Sequence, residues 1–578
     1  MEEKSEEEIV MKYTLKNAVE HNGHALVNSV MTMLITAYPA WRTRAKEIKK
    51  IVEMVVEKVN KMKPDEQKKE LEKYGDLKTE VKKQKEGKDL PELPGAIPGK
   101  VVMRFAPNPD FIITLGNARP AILNYIYAKR YDGKFILRYD DTDVKIKTPL
   151  PEVYEKIRED LEWLGIIPDE IHYQSKRLEI YYKYGKDLID RGHAYVCTCS
   201  KDDFQKYKNA DSACPHRDAP VEKNIELWNE MLSGGFGEEE ATLRIKTGVD
   251  LEDTSLREWV AFRIVDTSKN PHPITGDKYN VWPTYNFACA IDDYEMGITH
   301  ILRAKEHEQN AIKQEYIYKY MGWKYPVAIH FGRLGFSGIT LSKSKIRHTL
   351  ESAPGKYLGY DDPRFGTISG LRRRGFVPEA IREIIIQCGI KESYGMIAME
   401  NLVAINKKYV DPRAKRIMFV EDPILVEFSN VESLTATLPL NPSNAQMGKR
   451  EVKVKNKVYI AKEDAETLKK LGRIRLFQLA NLRYVSTSEN SIIAECIPSH
   501  EISDVLKEGI PIVQWVPFEN ARDIELLIPE GDELLVKKGK VESFIDTITS
   551  GEIVQLLRIC FARIEKNNSK IMAFFTHK

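Results

Sequence analysis

Lys343 sits in the stretch 332–345, GRLGFSGITLSKSK, a glycine- and serine-rich loop that also carries Lys345 and follows an expected strand, VAIHF. A lysine on such a loop can meet phosphate charge. A second phosphate-receiving signal lies upstream, in 101–143. There an expected strand, VVMRF, runs into a loop holding Pro107, Asn108, Pro109 and Asp110. Gly116 and Asn117 then precede an expected helix, with Pro120 in its first turn and Gly133 just past its end. Free backbone N–H groups converge at a helix N-terminus and favour an anion. The next strand, KFILRY, ends in Asp140, Asp141 and Asp143. A third constellation is Cys197 and Cys199, followed by Cys214 and His216. Three thiols and an imidazole suit Zn2+, and four protein ligands would make such a site structural. Reduced cysteines without metal are the alternative, since the C-x-C and C-x-H pairs are tighter than the commoner C-x-x-C.

The elements that must position these residues follow from patterning. Ile48, Ile51, Val52, Val55, Val59 and Met62 recur at helical spacing, and Pro64 opens another helix that Gly75 can end. Residues 78–100 are charged, then rich in Pro and Gly, as in a linker. From 101 to 340 strands alternate with helices, which predicts a parallel sheet. Residues 190–280 interrupt that alternation as an inserted domain, with short strands such as ATLRIK and WVAFRIVD. Residues 355–412 read as helix, and short β-rich runs from 413 onward predict one or two barrels.

The chain has 578 residues, 88 basic and 86 acidic, so several domains are expected and any nucleic-acid surface must be local. Charged residues make up 30%, a pattern of heat-adapted chains. Seven cysteines, scattered or clustered, point to a reduced cytoplasmic setting rather than a disulfide framework. The N-terminus lacks a signal-peptide pattern and no apolar run is long enough to span a membrane.

Paired in this order, the two phosphate-receiving segments resemble the HIGH and KMSKS motifs of class I aminoacyl-tRNA synthetases. RFAPNPD, KFILRYDDTD, CTCSKDDF with CPHRD, WPTYNFACAIDDYEMGITHILRAKEH, LSKSK, GYDDPRFGTISGLRRRGFVPEAI and DPRAKRIMFVEDP resemble the archaeal-type glutamyl-tRNA synthetases and their glutaminyl relatives. The resemblance implies a multidomain α/β plus all-β chain. Its parts would be a helical domain and linker (1–98), a Rossmann-like catalytic domain (99–340), a helical bundle (341–412) and a β-barrel anticodon-binding region (413–578). It implies activation of glutamate by ATP with Mg2+, then transfer to tRNA(Glu), in a monomer; whether tRNA(Gln) is also charged stays open.

Residue by residue, the resemblance gives ATP to Asn108, Gly116, Asn117, Glu306, Leu341, Ser342, Lys343 and Ser344, with Lys343, Thr114 and Asn117 catalytic. It gives glutamate to Arg104, Ala106, Asn108, Asp140, Tyr285 and Arg303. Arginine suits a carboxylate because its planar fork binds bidentately. Asp140 would face the α-ammonium. Arg303 discriminates, because glutaminyl enzymes lack arginine there; its bland alternative is a salt bridge with Glu306 or Asp292. Arg372, Arg373 and Arg374 would meet tRNA, with an ordinary solvated face as the alternative. The first motif departs from the family: Thr114 and Asn117 stand at its two histidines, and Phe111 stands for a glycine and would crowd the nucleotide. Two further readings follow, a glutaminyl enzyme and a tRNA-binding paralogue that no longer activates an amino acid.

Overall fold

The computed structural model describes residues 5–20, 23–38, 41, 44–73, 90–497, 509–567 and 570–578, in two compact units, 1–88 and 89–578. In the first unit, α1 (Glu6–Glu20), α2 (Val27–Ala37), α3 (Ala45–Asn60) and α4 (Pro64–Glu72) share one apolar core. Ile48, Val52, Val55 and Val59 form the buried stripe of α3, as their spacing requires. Gly75 and the charged part of the expected linker lie outside the described residues. Residues 90–100, read as the rest of that linker, instead begin the second unit. Leu90 and Leu93 are buried in its core, and the Tyr127 hydroxyl donates to the Pro91 carbonyl at 2.8 Å.

The site-bearing sheet starts with β1 (Val102–Phe105), α5 (Leu115–Arg130), β2 (Lys134–Tyr139), α6 (Pro151–Trp163) and β3 (Glu170–Tyr173), whose strands pair in parallel. Tight packing fixes the turn from α5 into β2. A Cβ on Gly133 would lie 2.2 Å from the Val101 carbonyl oxygen, so only glycine fits. After α7 (Leu178–Asp190) the chain leaves the sheet. β4 (Ala194–Cys197), α8 (Lys201–Asn209), α9 (Val221–Leu232), β5 (Thr242–Ile245), β6 (Val260–Ile264) and β7 (Val281–Pro283) form the insertion, with an antiparallel sheet ordered β4-β5-β6-β7.

α10 (Tyr285–Glu295) returns to β8 (His300–Ala304), α11 (Glu308–Met321) and β9 (Val327–Phe331). β8 and β9 are parallel, and the Thr299 N–H donates to the Val102 carbonyl at 3.0 Å, which sets β8 beside β1. The parallel pair β10 (Leu334–Phe336) and β11 (Gly395–Ile397) brackets α12 (Lys343–Ser352), α13 (Ile368–Arg374) and α14 (Pro378–Cys388), before α15 (Met399–Val410).

From residue 412 on, two seven-stranded sheets follow. One has Lys415–Ile417 and Phe419–Glu421 as its edge strands, and the other has Ile512–Val513 and Val516–Pro517. In each sheet the two edges are neighbours in sequence, so the sheet must curl until its edges meet, in the manner of a barrel.

The Gly133 packing gives a direct check. Gly133→Ala should lower stability by about 1–3 kcal/mol, read as the shift of a chemical denaturation midpoint, because the clash is with backbone.

Candidate active site

α5 begins at Leu115, with Thr114 as its N-cap, so Gly116 and Asn117 lie inside the first turn rather than before it. Pro120 sits one turn further in than the sequence reading placed it. Thr114 is buried and its hydroxyl donates to Asn117 Oδ1 at 2.8 Å; Gly116 is half-buried and Asn117 exposed. Phe111 does not crowd this N-terminus. Its ring is buried in the core and meets Tyr360 edge-on.

Lys343 is not on a loop. It is the first residue of α12, capped by Ser342, whose hydroxyl accepts from the Lys345 N–H. Helix geometry holds Ser342 and Ser344 at the surface and leaves Leu341 half-buried against the core. Burial lowers the Lys343 pKa, and Asp110 opposes the shift. The strip 365–368 stitches the two motif segments together. The Leu115 N–H donates to the Gly366 carbonyl, the Ile368 N–H to Ile113, and the Gly366 N–H to Thr340, each at 2.9 Å.

At the inner end, carboxylates and arginines pack in a buried lattice. Arg138, on β2, donates to Asp140 and to Asp293, both at 2.7 Å. Arg104, on β1, is gripped by Asp293 through Nε at 3.1 Å and Nη2 at 3.2 Å. Asp292 holds Arg177 at 2.8 Å and the Tyr181 hydroxyl at 2.7 Å. Burial alone would raise the Asp293 pKa, but Arg104 and Arg138 outweigh it and bring it down to about 2. Asp140, given to the substrate ammonium from sequence, already spends its carboxylate on Arg138 and the Cys289 thiol. Burial raises its pKa, with Arg138 acting against the shift. Three arginines thus face three aspartates, and the lattice is neutral.

Arg303, on β8, is a further cation, buried with 5% of its surface exposed. Its donors go to Gln314 Oε1 at 3.1 Å, the Tyr325 hydroxyl at 3.2 Å and His330 Nε2 at 3.3 Å. All three partners are neutral groups or, for His330, held toward neutrality by burial. The expected alternatives are taken elsewhere: Asp292 by Arg177, and the exposed Glu306 by Arg333 at 3.8 Å. Tyr285, half-buried, meets His307 ring to ring at 5.9 Å. Burial and the neighbouring Arg303 and Arg104 push the His307 pKa down to about 4, so its ring is neutral at pH 7. Ala106 is half-buried in the loop after β1. Asn108 donates to the Lys147 carbonyl at 3.3 Å while its own Oδ1 is buried without a partner.

Sequence reading missed Arg138, Asp293 and Gln314, and it offered Asp292 to Arg303 where the fold pairs it with Arg177. The signal was present, because a charge inside an apolar run such as KFILRY or FACAIDD must be paired when that run is buried.

Cys197, Cys199, Cys214 and His216 come together, with their ligand atoms within 4.8 Å of one another. Cys197 and Cys214 Sγ are 3.9 Å apart, close to the roughly 3.8 Å spanned by two thiolates on one tetrahedral Zn2+. Of the arginine patch, only Arg372 is exposed. Arg373 bridges Asp361 and Glu565 at 3.1 and 3.0 Å, and burial lowers the Arg374 pKa to about 10. Among the described residues no helix is long and apolar enough to cross a membrane.

A family model described as tRNA synthetases class I (E and Q), catalytic domain, matches residues 100–412, and the anti-codon binding domain of the same class matches 414–498. The glutamate–tRNA ligase of Pyrococcus furiosus is 49% identical over 578 residues, covering 99% of this chain and 100% of that protein. That of Hyperthermus butylicus is 48% identical over 560 residues, covering 95% and 96%. A solved glutamate tRNA ligase from Elizabethkingia meningosepticum, in complex with its amino acid, is 25% identical with a TM-score of 0.40, covering 54% of this chain and 70% of that one. The chain belongs to the class I aminoacyl-tRNA synthetases of the glutamyl and glutaminyl type.

Proposed function

We infer that this enzyme is a glutamate–tRNA ligase, which joins glutamate to ATP as glutamyl-adenylate and then passes it to the 3′ end of tRNA(Glu). The observation that carries glutamate over glutamine is Arg303. A buried guanidinium with only neutral partners is costly unless an anion arrives, and a γ-carboxylate is such an anion. A neutral amide would leave the charge uncompensated. Arg104 contributes through the Nη1 that Asp293 leaves over, and Tyr285, Ala106 and Asn108 complete the wall. Asp140 shares its charge between Arg138 and the substrate ammonium.

Activation needs no enzyme nucleophile. The glutamate α-carboxylate attacks the α-phosphorus of ATP and expels pyrophosphate. The protein's task is to position the reactants and stabilise phosphate charge. The N-terminus of α5, with Thr114, Gly116 and Asn117, receives ATP, which brings Mg2+ on its own phosphates. Lys343, framed by Leu341, Ser342 and Ser344, meets the charge developing on pyrophosphate, and Glu306 stands at the rim. Arg372 is the tRNA contact of its patch, with Arg373 fixing α13 to the barrel. A reduced, cytoplasmic setting accords with seven free cysteines.

We further propose a structural Zn2+ on Cys197, Cys199, Cys214 and His216, where the Thr198 hydroxyl meets the other ring nitrogen, His216 Nε2, at 3.0 Å and would orient it. When bound, the ion would cross-link the two ends of the segment carrying α8.

ATP–pyrophosphate exchange with glutamate and with glutamine, with and without tRNA, tests the reading. Exchange with glutamate is expected; exchange with glutamine alone would make this a glutaminyl enzyme. Arg303→Gln should raise the glutamate KM by at least about a hundredfold, the scale of losing one buried hydrogen-bonded charge pair. Stability should stay within about 1 kcal/mol, because the variant also removes an unneutralised buried charge. A large stability loss with unchanged KM would make Arg303 a packing residue. For the metal, elemental analysis should find one zinc per chain in the purified enzyme. Cys214→Ser should lose it and melt at lower temperature.

A further inference from the structure

Asp110 lies midway along the loop between β1 and α5, between two cations of α12. Its Oδ1 is 3.6 Å from Lys343 Nζ, and its Oδ2 is 3.4 Å from Arg347 Nη2. The same Nη2 also donates to the Asp110 backbone carbonyl at 2.5 Å. The pairing is shielded: the Asp110 side chain is 11% exposed, Lys343 28% and Arg347 35%. The neighbouring Phe111 ring is anchored in the core and lies under the Arg347 guanidinium at 5.8 Å. Lys147 adds to the positive field at Lys343. Two cations therefore share one carboxylate, with the charge of Lys147 acting on one of them, where the two motif segments meet. That is the charge pattern of a phosphate site filled by a side chain.

We propose that Asp110 is a positioning residue that stands in for the nucleotide phosphates. In the nucleotide-free enzyme its carboxylate holds Lys343 and Arg347 against the loop after β1, and ATP must take its place before Lys343 can serve the reaction. The inference rests on the ligase reading. Its logic is electrostatic. A partly desolvated lysine left unpaired is costly, so Lys343 needs an internal anion until phosphates reach it. The same anion then competes with ATP for Lys343. An interaction broken on binding raises the ATP KM without slowing the chemical step.

Asp110→Asn keeps the shape of the side chain and the backbone contact to Arg347 but removes the charge. Pyrophosphate exchange should then show an ATP KM lower by about three- to tenfold, as for release of one partly shielded ion pair, with kcat changed less than about twofold and the glutamate KM unmoved. Without nucleotide, trypsin should cut after Lys343 or Lys345 faster in the variant than in the unmodified enzyme, and ATP should restore protection. Arg347→Gln loosens the same contact from the other side. It should also speed nucleotide-free cleavage, so the proposal can still be judged if Asp110→Asn does not fold. A raised ATP KM with a lower kcat, relieved by added Mg2+, would overturn the proposal and make Asp110 a metal-side ligand. Unchanged cleavage with an unchanged ATP KM would also overturn it. If the unmodified enzyme shows no exchange, the ligase reading fails instead, and the cleavage rates alone then judge Asp110.

Discussion

The inner end of the site is built around Arg138. It has no exposed surface, and it holds Asp140 with one part of its guanidinium and Asp293 with another. Asp293 in turn orients Arg104, so one ion network spans β1, β2 and α10. Each buried charge is tolerated because another cancels it, and removing one member would strand its partner in a medium that cannot solvate it. This constraint explains why β1, β2 and α10 keep their register. It also explains why Arg303 differs: it sits close by, yet it is oriented by an amide, a phenol and an imidazole. Neutral groups can aim a guanidinium without quenching it, and an unquenched buried charge is what a recognition site for an anion requires.

The outline of the fold was legible in the sequence because it depends on local signals. KFILRY is β2 over its full length, VAIHF is β9, and the apolar stripe of α3 falls on the residues whose spacing predicts it. Helix starts were less legible. α5 begins before Gly116, because the strip 365–368 accepts and donates bonds at its start, while the Thr114 hydroxyl at the N-cap position goes to the Asn117 side chain. Lys343 reads as a loop residue among glycines and serines. A single serine cap turns that stretch into a helix, and its length is fixed by packing against the core rather than by propensity.

The site was legible as a set of residue types, not as a set of pairings. Arg104, Asp140 and Arg303 could be singled out one at a time, but which carboxylate neutralises which arginine depends on contacts far apart in sequence. Arg104 illustrates the limit: the carboxylate that grips it, Asp293, lies 189 residues further along the chain. Asp140 is paired locally, with the arginine two positions earlier. Phe111 is the converse case. Its bulk is out of place in a ligand loop only while the direction of the ring is unknown; in the fold the ring turns into the core against Tyr360.

Residues flanking the strip that joins the two motif segments also fasten the barrel edged by Lys415–Ile417. Arg364 donates to the Asp532 carbonyl at 3.0 Å, Lys356 pairs with Glu533 at 2.7 Å, and Arg373 pairs with Glu565. A few residues further along, the same backbone hydrogen-bonds Ile113, Leu115 and Thr340. A load placed on that barrel therefore need not cross the central sheet to reach the two motif segments. Residues 356–373 tie it to both, so the two segments share one mechanical coordinate.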